Sequence, residues 1–132
     1  MAEYLLDTNA LVDFLYGIPE AVKLIESLGR EGHTAAICSV SVAELYSGLA
    51  EGDKPKVEGV LSAFDYWDIS PDAAKRAGTY RYQFARRGIQ LSTADTLQAA
   101  LAVDRDAYFV TRNVRDFPMR DLRIVTWPNG RQ

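Results

Sequence analysis

The sequence has one cysteine, one histidine and no long apolar run. A lone Cys38 cannot form an internal disulfide, and its apolar neighbours at 35–37 favour a buried packing role. One histidine and one cysteine are too few for a zinc site of the usual ligand types. No apolar stretch approaches the roughly 20 residues that span a bilayer, and the first residues lack the basic leader of a secretory signal. These absences predict a cytoplasmic protein without disulfides or membrane segments.

The composition predicts one globular domain. The chain has 132 residues, of which 48% are hydrophobic and 25% are charged. These fractions are ordinary for a globular protein, and the length is enough for one hydrophobic core but short for two. We therefore expect a single domain over residues 1–132.

Charge is unevenly distributed along the chain. Residues 1–74 contain 4 Lys/Arg and 13 Asp/Glu, whereas residues 75–132 contain 11 Lys/Arg, ten of them arginine, and 5 Asp/Glu. The net charge of −3 therefore joins an acidic part to a basic part. The planar, forked guanidinium of arginine suits phosphate and carboxylate partners. The basic part indicates either a surface for nucleic acid or an acidic partner, or an ordinary solvated face of helices.

Short apolar runs alternate with helical patterns. We predict strands at 4–6, 34–39, 66–69, 108–110 and 123–127. Helices are predicted at 10–16, 19–28, 41–51, 56–64, 71–87 and 94–103, the last of them capped by Thr93. This alternation predicts an α/β fold with a central, mostly parallel sheet of about five strands flanked by helices.

Four acidic residues stand near the ends of these elements. Asp7, Glu44 and Asp116 follow predicted strands, and Asp95 opens a predicted helix. In α/β sheets, sites form outside the carboxyl ends of the strands, so we expect the four acids at one crevice. Crowded carboxylates repel one another unless a cation lies between them. Mg²⁺ suits such a site, and it can activate water for attack at phosphorus.

Each acid taken alone also has a structural explanation. Asp7 could cap a helix, and Glu44 could close a capping box with Ser41. Asp95 could complement a helix dipole, and Asp116 could make a local Asx turn. The functional prediction therefore depends on the four acids as a set.

Four stretches occur in an order that resembles a known family. They read Leu-Leu-Asp-Thr-Asn at 5–9, Ser-Val-Ala-Glu-Leu at 41–45, Ser-Thr-Ala-Asp at 92–95 with Ala-Ala at 99–100, and Val-Thr-Arg-Asn-Val-Arg-Asp-Phe at 110–117. Together they resemble the PIN-domain family and, within it, the VapC-like toxin ribonucleases of type II toxin–antitoxin pairs. The resemblance covers essentially the whole chain.

The resemblance implies a magnesium site, in which Mn²⁺ can substitute. Its acidic cluster would be Asp7, Glu44, Asp95 and Asp116, with Thr8 and Asn9 beside it and Thr111 and Asn113 as polar supports at its rim. Some members place an acid where this chain has Asn113, so Asp116 is expected to be a weaker or water-mediated ligand. Gln98 stands where relatives more often have an apolar residue, and we expect it to mark a local packing difference.

The resemblance also implies partners. The substrate would be RNA, hydrolysed by metal-activated water to leave a 5′-phosphate and a 3′-hydroxyl. A cognate antitoxin would wrap the toxin with its C-terminal segment and block the site, and the toxin would form a homodimer. Four arginines are expected to contact RNA phosphates or the antitoxin, namely Arg86, Arg87, Arg112 and Arg115. The residues predicted to line an apolar groove for an antitoxin helix are Phe14, Tyr16, Tyr46 and Leu49.

Three other functions remain open at this point. The first is another Mg²⁺-dependent phosphoesterase, although Asn9 stands where haloacid dehalogenase-like phosphatases need a second acid. The second is a non-catalytic interaction module, either PIN-like or receiver-like. The third is a deoxyribonuclease, because a carboxylate–Mg²⁺ site does not itself distinguish the two sugars.

Overall fold

A sheet of five parallel strands runs through the computed structural model, which describes residues 1–128. In chain order the strands are β1 (Glu3–Leu6), β2 (Thr34–Cys38), β3 (Asp65–Trp67), β4 (Tyr108–Val110) and β5 (Ile124–Val125). They lie side by side in the order β3-β2-β1-β4-β5, and every neighbouring pair is parallel. The predicted α/β class and five-stranded sheet are confirmed, and β1 lies at the centre.

Helices connect the strands and cover both faces of the sheet. Within residues 1–128 the α-helices are α1 (Thr8–Leu15), α2 (Pro19–Arg30), α3 (Ser39–Ser47), α4 (Lys54–Leu61), α5 (Pro71–Ala85) and α6 (Thr93–Asp104). Two single 3-10 turns occupy Glu51–Asp53 and Val114–Asp116. No helix in this part of the chain combines the length and apolarity needed to cross a membrane.

Alternating strand residues build a core on each face of the sheet. Leu5 and Phe109 pack with the buried residues of α5 and α6 on one face. Their neighbours Leu6 and Val110 pack with α1 and α2 on the other. Successive side chains of a strand point to opposite faces, so a strand buried on both faces must be apolar throughout. This accounts for the short, unbroken apolar runs of the sequence. Cys38 is free and buried, as expected.

Several boundaries differ from the prediction. The first helix begins at Thr8 rather than at residue 10, because Asp7 is its N-cap. The sixth helix is capped by the Ser92 hydroxyl, which accepts from the Asp95 N–H, so the predicted cap at Thr93 is wrong. The last strand is two residues long because it pairs with the carboxyl end of β4, which itself has three residues.

Candidate active site

Asp7 lies directly beyond the carboxyl end of the central strand. Its backbone N–H donates to the Val110 carbonyl at 2.9 Å, which extends the pairing of β1 and β4 by one residue. The two strands therefore end together, and each is followed at once by a polar side chain, Asp7 after β1 and Thr111 after β4. The Asp7 side chain is only 2% exposed. The sheet thus fixes a buried carboxylate at its edge.

Both oxygens of Asp7 accept hydrogen bonds. Asp7 Oδ1 accepts from the Thr8 backbone N–H at 2.7 Å. Asp7 Oδ2 accepts from the Asn9 side-chain amide at 2.6 Å and from the Thr111 hydroxyl at 2.7 Å. The pKa of Asp7 is raised to about 6, mainly by burial and to a lesser extent by the charge of Asp95, against the lowering effect of these donors.

Asn9 and Thr111 also organise the loop after β4. The Asn9 side-chain carbonyl accepts from the Arg112 backbone N–H at 2.9 Å, and the Thr111 hydroxyl accepts from the Asn113 backbone N–H at 3.1 Å. Thr111 is fully buried. Asn113 takes part through this backbone N–H, while its side chain is exposed. Asn9 and Thr111 therefore bond to Asp7 directly, whereas Asn113 is connected to it only through the Thr111 hydroxyl.

Glu44 reaches the site from α3. Its Oε1 accepts from the Thr8 hydroxyl and, at 3.5 Å, from the side-chain amide of Gln98. The alternative capping box with Ser41 is not formed, since α3 begins at Ser39 and the Ser41 hydroxyl pairs with the backbone of Cys38. Glu44 therefore faces α1 and α6 rather than the start of its own helix.

Asp95 links the other acids electrostatically. It lies in the first turn of α6, where its backbone N–H donates to the Ser92 hydroxyl at 3.0 Å. Burial raises the pKa of Asp95, and the charges of Asp116 and Glu44 raise it further. Because the charge of Asp95 also acts on Asp7, it interacts with all three other acids. Asp116 itself is exposed in the 3-10 turn after β4.

The four acids are neighbours without forming a closed cage. Among residues 1–128, no three Asp, Glu, His or Cys side chains converge closely enough to complete a metal site by themselves. Mg²⁺ needs no such cage, since it keeps several waters and uses one or two protein carboxylates together with substrate phosphate. Two of these carboxylates, Asp7 and Asp95, have raised pKa values, and no basic side chain among residues 1–128 bonds to Asp7 or Glu44. Both observations fit a hydrated divalent cation.

Comparison with known proteins decides the family. A match to the PIN domain covers residues 4–121. The chain belongs to the PIN-domain family. It is 36% identical over 117 residues to ribonuclease VapC19 of Mycobacterium tuberculosis, covering 87% of this chain and 92% of that protein. VapC nucleases of the PIN-domain family are generally metal-dependent.

A further relative and a solved structure each match nearly the whole chain. The tRNA(fMet)-specific endonuclease VapC of Salmonella typhimurium is 29% identical over 133 residues, covering 96% of this chain and 99% of that protein. The crystal structure of VapBC2 from Rickettsia felis, bound to a DNA fragment from the promoter, superimposes with a TM-score of 0.85 at 26% identity, covering 96% of this chain and 99% of that chain.

Two residues of this PIN-domain site were not predicted from the sequence. Gln98 was expected to affect packing alone, yet it contacts Thr8 and Glu44. Asp13 is buried on α1 and accepts from the Arg112 guanidinium at 2.7 and 2.9 Å. Asp13 lies four residues after Asn9 on α1, on the same side of the helix, which is the one sequence signal that could have indicated it.

The four arginines predicted to contact RNA or antitoxin lie in different surroundings. Arg112 is engaged with Asp13. Arg86 lies over the Tyr82 ring, and Arg87 lies over the Phe84 ring. Arg115 is exposed in the turn beside Asp116. Arg86, Arg87 and Arg115 thus lie at the surface of the PIN domain, while Arg112 ties the loop after β4 to α1.

An apolar groove leads away from the acids. It lies between α1, α3 and α4, with Thr8 and Glu44 at one end and Phe14, Tyr16 and Leu49 along its walls. Tyr46, also predicted to line it, is not among the residues of its walls, and its hydroxyl donates to Glu58 of α4 at 3.5 Å.

Proposed function

We propose that this chain is a Mg²⁺-dependent endoribonuclease that acts as the toxin of a toxin–antitoxin pair, with one domain over residues 1–132. The observation that carries the proposal is the placement of Asp7, Glu44, Asp95 and Asp116 around the carboxyl edge of the sheet. Burial there raises the pKa values of Asp7 and Asp95, and repulsion from neighbouring acids adds to the effect of burial. A divalent cation would relieve that repulsion. The proposal also draws on ribonuclease VapC19 and the tRNA(fMet)-specific endonuclease VapC, whose names state RNA cleavage.

The four acids would hold the cation, directly or through water. When bound, Mg²⁺ would activate a water for in-line attack and stabilise the charge that develops on the phosphodiester. Thr111 and Asn9 fix Asp7 Oδ2, while the Thr8 N–H fixes Oδ1. Thr8 also donates its hydroxyl to Glu44, so one residue orients two of the carboxylates. Mn²⁺, which accepts the same oxygen ligands, would substitute for Mg²⁺.

RNA would approach over the basic part of the chain. The basic residues of α5 and its C-terminal end include Arg76, Arg81, Arg86 and Arg87, and the loop after β4 adds Arg115. Phosphate contacts by such residues bind nucleic acid without regard to sequence. Which RNA is cut would depend on the shape of the loops around the acids.

An antitoxin segment would occupy the apolar groove between α1, α3 and α4. The groove ends at Thr8 and Glu44, so a segment lying in it would reach the acids and block them. The VapBC2 structure of Rickettsia felis, bound to promoter DNA, supports such a pairing. We further propose that the toxin is a homodimer and that it acts in the cytoplasm.

The test is RNA cleavage by purified, antitoxin-free protein. A labelled pool of total RNA would be incubated with Mg²⁺ or with EDTA, using wild type, Asp7→Asn and Asp95→Asn. The matched control is Asp104→Asn, because Asp104 lies on the same helix as Asp95, about 13 Å away along its axis. We expect Mg²⁺-dependent cleavage by wild type and the control, and none by the other two variants.

Each contrary outcome has a distinct meaning. Cleavage by Asp7→Asn at the wild-type rate would remove Asp7 from the mechanism. Folded wild-type protein that binds Mg²⁺ and cuts DNA but no RNA would make the chain a deoxyribonuclease. Folded protein that binds no Mg²⁺ would make it a non-catalytic PIN-like module.

A further inference from the structure

Gln98 is a fully buried polar side chain on the apolar helix α6. Its neighbours along the helix, from Ala99 to Ala102, are also buried and belong to the core. A buried amide is costly unless its donor and acceptor atoms are paired. Gln98 is paired, and its partners outside its own helix, Thr8 and Glu44, belong to the acidic site rather than to the core.

The partners of Gln98 fix the orientation of its amide. Its Oε1 accepts from the Thr8 backbone N–H at 3.2 Å, with the Thr8 hydroxyl at 3.5 Å. Its Nε2 donates to Glu44 Oε1 at 3.5 Å and to the Ala94 carbonyl at 3.4 Å. The Thr8 N–H is a donor and the Ala94 carbonyl is an acceptor, so exchanging the two amide atoms would leave both facing like groups. The amide therefore presents its donor to Glu44.

The Gln98 amide donor helps to fix the position of the Glu44 carboxylate. Glu44 lies on the exposed side of α3, so little packing restrains its side chain. Its Oε1 is held by two donors, the Thr8 hydroxyl and the Gln98 amide. Gln98 thereby connects α6, which carries Asp95, to α1 and α3. No donor among residues 1–128 bonds to the second oxygen, Oε2, so it can accept from or coordinate a ligand.

We propose that Gln98 is a positioning residue that sets the affinity of the acidic site for a divalent cation by holding the Glu44 carboxylate. The inference rests on the proposed metal-dependent function. Residues behind metal ligands typically change metal affinity by about 10- to 100-fold when they are removed. The contacts of Gln98 to Glu44 are long, so we expect an effect at the lower end, about tenfold.

The informative variant is Gln98→Met, which keeps the length of the side chain and removes both polar atoms. The fold should tolerate it, because the Thr8 N–H keeps its 2.7 Å bond to Asp7 Oδ1 and no backbone donor is orphaned. Gln83→Met is the matched control, since Gln83 is exposed on α5. Gln98→Leu supplies a second apolar variant in case the Met side chain overpacks the core.

The measurement is Mn²⁺ binding by the antitoxin-free protein, followed by calorimetry or by the electron paramagnetic resonance of free Mn²⁺. Thermal unfolding in EDTA establishes that each variant is folded. We expect Kd for Mn²⁺ to rise about tenfold in Gln98→Met and to stay unchanged in Gln83→Met. RNA cleavage at saturating Mg²⁺ should remain within about threefold of wild type, because the loss is in metal binding rather than in the bound state.

The outcomes separate this inference from the proposed function. Wild-type Mn²⁺ affinity in folded Gln98→Met or Gln98→Leu, with binding abolished in Asp7→Asn, overturns the role of Gln98 and leaves the metal site standing. The role of Gln98 is also overturned if Gln98→Met binds Mn²⁺ with unchanged affinity but cleaves RNA slowly even at saturating Mg²⁺. Wild-type protein that binds no Mn²⁺ overturns both.

Discussion

Among the individual residues, Asp7 combines burial with a carboxylate that must be charged to bind a cation. Its pKa is about 6 in the folded protein against an ordinary value of 3.8. The folded state therefore binds this proton more tightly than the unfolded chain. Its contribution to stability is present below about pH 4 and is lost as the pH rises through about 6.

We predict that metal-free wild type loses roughly 1–2 kcal/mol of unfolding free energy between pH 5 and pH 7.5 on account of Asp7. Urea unfolding in EDTA at the two pH values would measure it. Asp7→Asn serves as the reference, because it keeps the side-chain shape and does not titrate. An equal change in both proteins would show that Asp7 is already charged at pH 5 in the folded state.

Thr111 supplies the neutral donor that opposes the effect of burial on Asp7. Thr111→Val should keep the packing and remove the 2.7 Å bond to Asp7 Oδ2. We expect a loss of about 1–2 kcal/mol in unfolding free energy, and about tenfold weaker Mg²⁺ binding, read from the Mg²⁺ dependence of RNA cleavage.

The control for this variant is Thr96→Val. Thr96 is equally buried, but its hydroxyl donates to the carbonyls of Ser92 and Thr93 at the start of its own helix. Equal Mg²⁺ dependence in the two variants would mean that the Thr111 hydroxyl serves the fold alone.

Some residues of the site could be predicted from the sequence and others could not, for a physical reason. Asp7 could be placed because a polar residue directly after an apolar strand must lie at the sheet edge. The role of Gln98 depends on Thr8, 90 positions away, and on Glu44, 54 positions away. Such pairing leaves no local pattern, so a lone polar residue in an apolar helix suggested only a packing difference.

At the scale of elements, the apolar runs predicted the position of every strand found in residues 1–128, but they did not predict the order of the strands in the sheet. Strand order depends on which crossovers pack best, and the sequence does not display those contacts. Nothing local indicates that β4 lies beside β1 although about 100 residues separate them. The ends of elements were shifted by capping side chains, as at Asp7 and Ser92.

The loop after β4 is tied to α1 by Arg112 and Asp13, and this predicts different effects for two nearby arginines. Arg112→Gln would leave Asp13 buried without its charge partner, and we expect the unfolding free energy to fall by about 2 kcal/mol. The loss should be smaller than for a fully buried ion pair, because Arg112 is partly exposed. Arg115→Gln should leave stability within about 0.5 kcal/mol of wild type and weaken RNA binding.

Urea unfolding and RNA binding as a function of salt would separate the two variants. Losing one phosphate contact lowers the slope of log affinity against log salt by about 0.7 for single-stranded RNA. A lowered slope in Arg112→Gln at unchanged stability would reassign Arg112 to RNA contact.

On the scale of the whole molecule, the acidic site is a destabilising feature that a cation should offset. A ligand that binds only the folded state stabilises it by about 2.7 kcal/mol at a hundredfold excess over Kd. We therefore predict that Mg²⁺ raises the Tm of wild type by several degrees in a concentration-dependent way. Asp95→Asn should respond weakly, since Asp95 interacts electrostatically with the other three acids.

Differential scanning fluorimetry with MgCl₂, and with NaCl at matched ionic strength, would measure this response. Asp104→Asn should behave as wild type. Equal shifts with both salts would reveal general screening of the acidic surface in place of a bound ion.

The bond from Thr111 to Asp7 spans 104 positions of the chain, and this spacing bears on how the protein is made. Translation releases the amino-terminal end first, so Asp7 leaves the ribosome long before its partner beyond β4. A chain that ends before residue 108 lacks β4, Thr111 and Asp116 together. Such fragments should be inert. A ribosome that synthesises this chain is therefore not exposed to ribonuclease activity before Asp116 has been added.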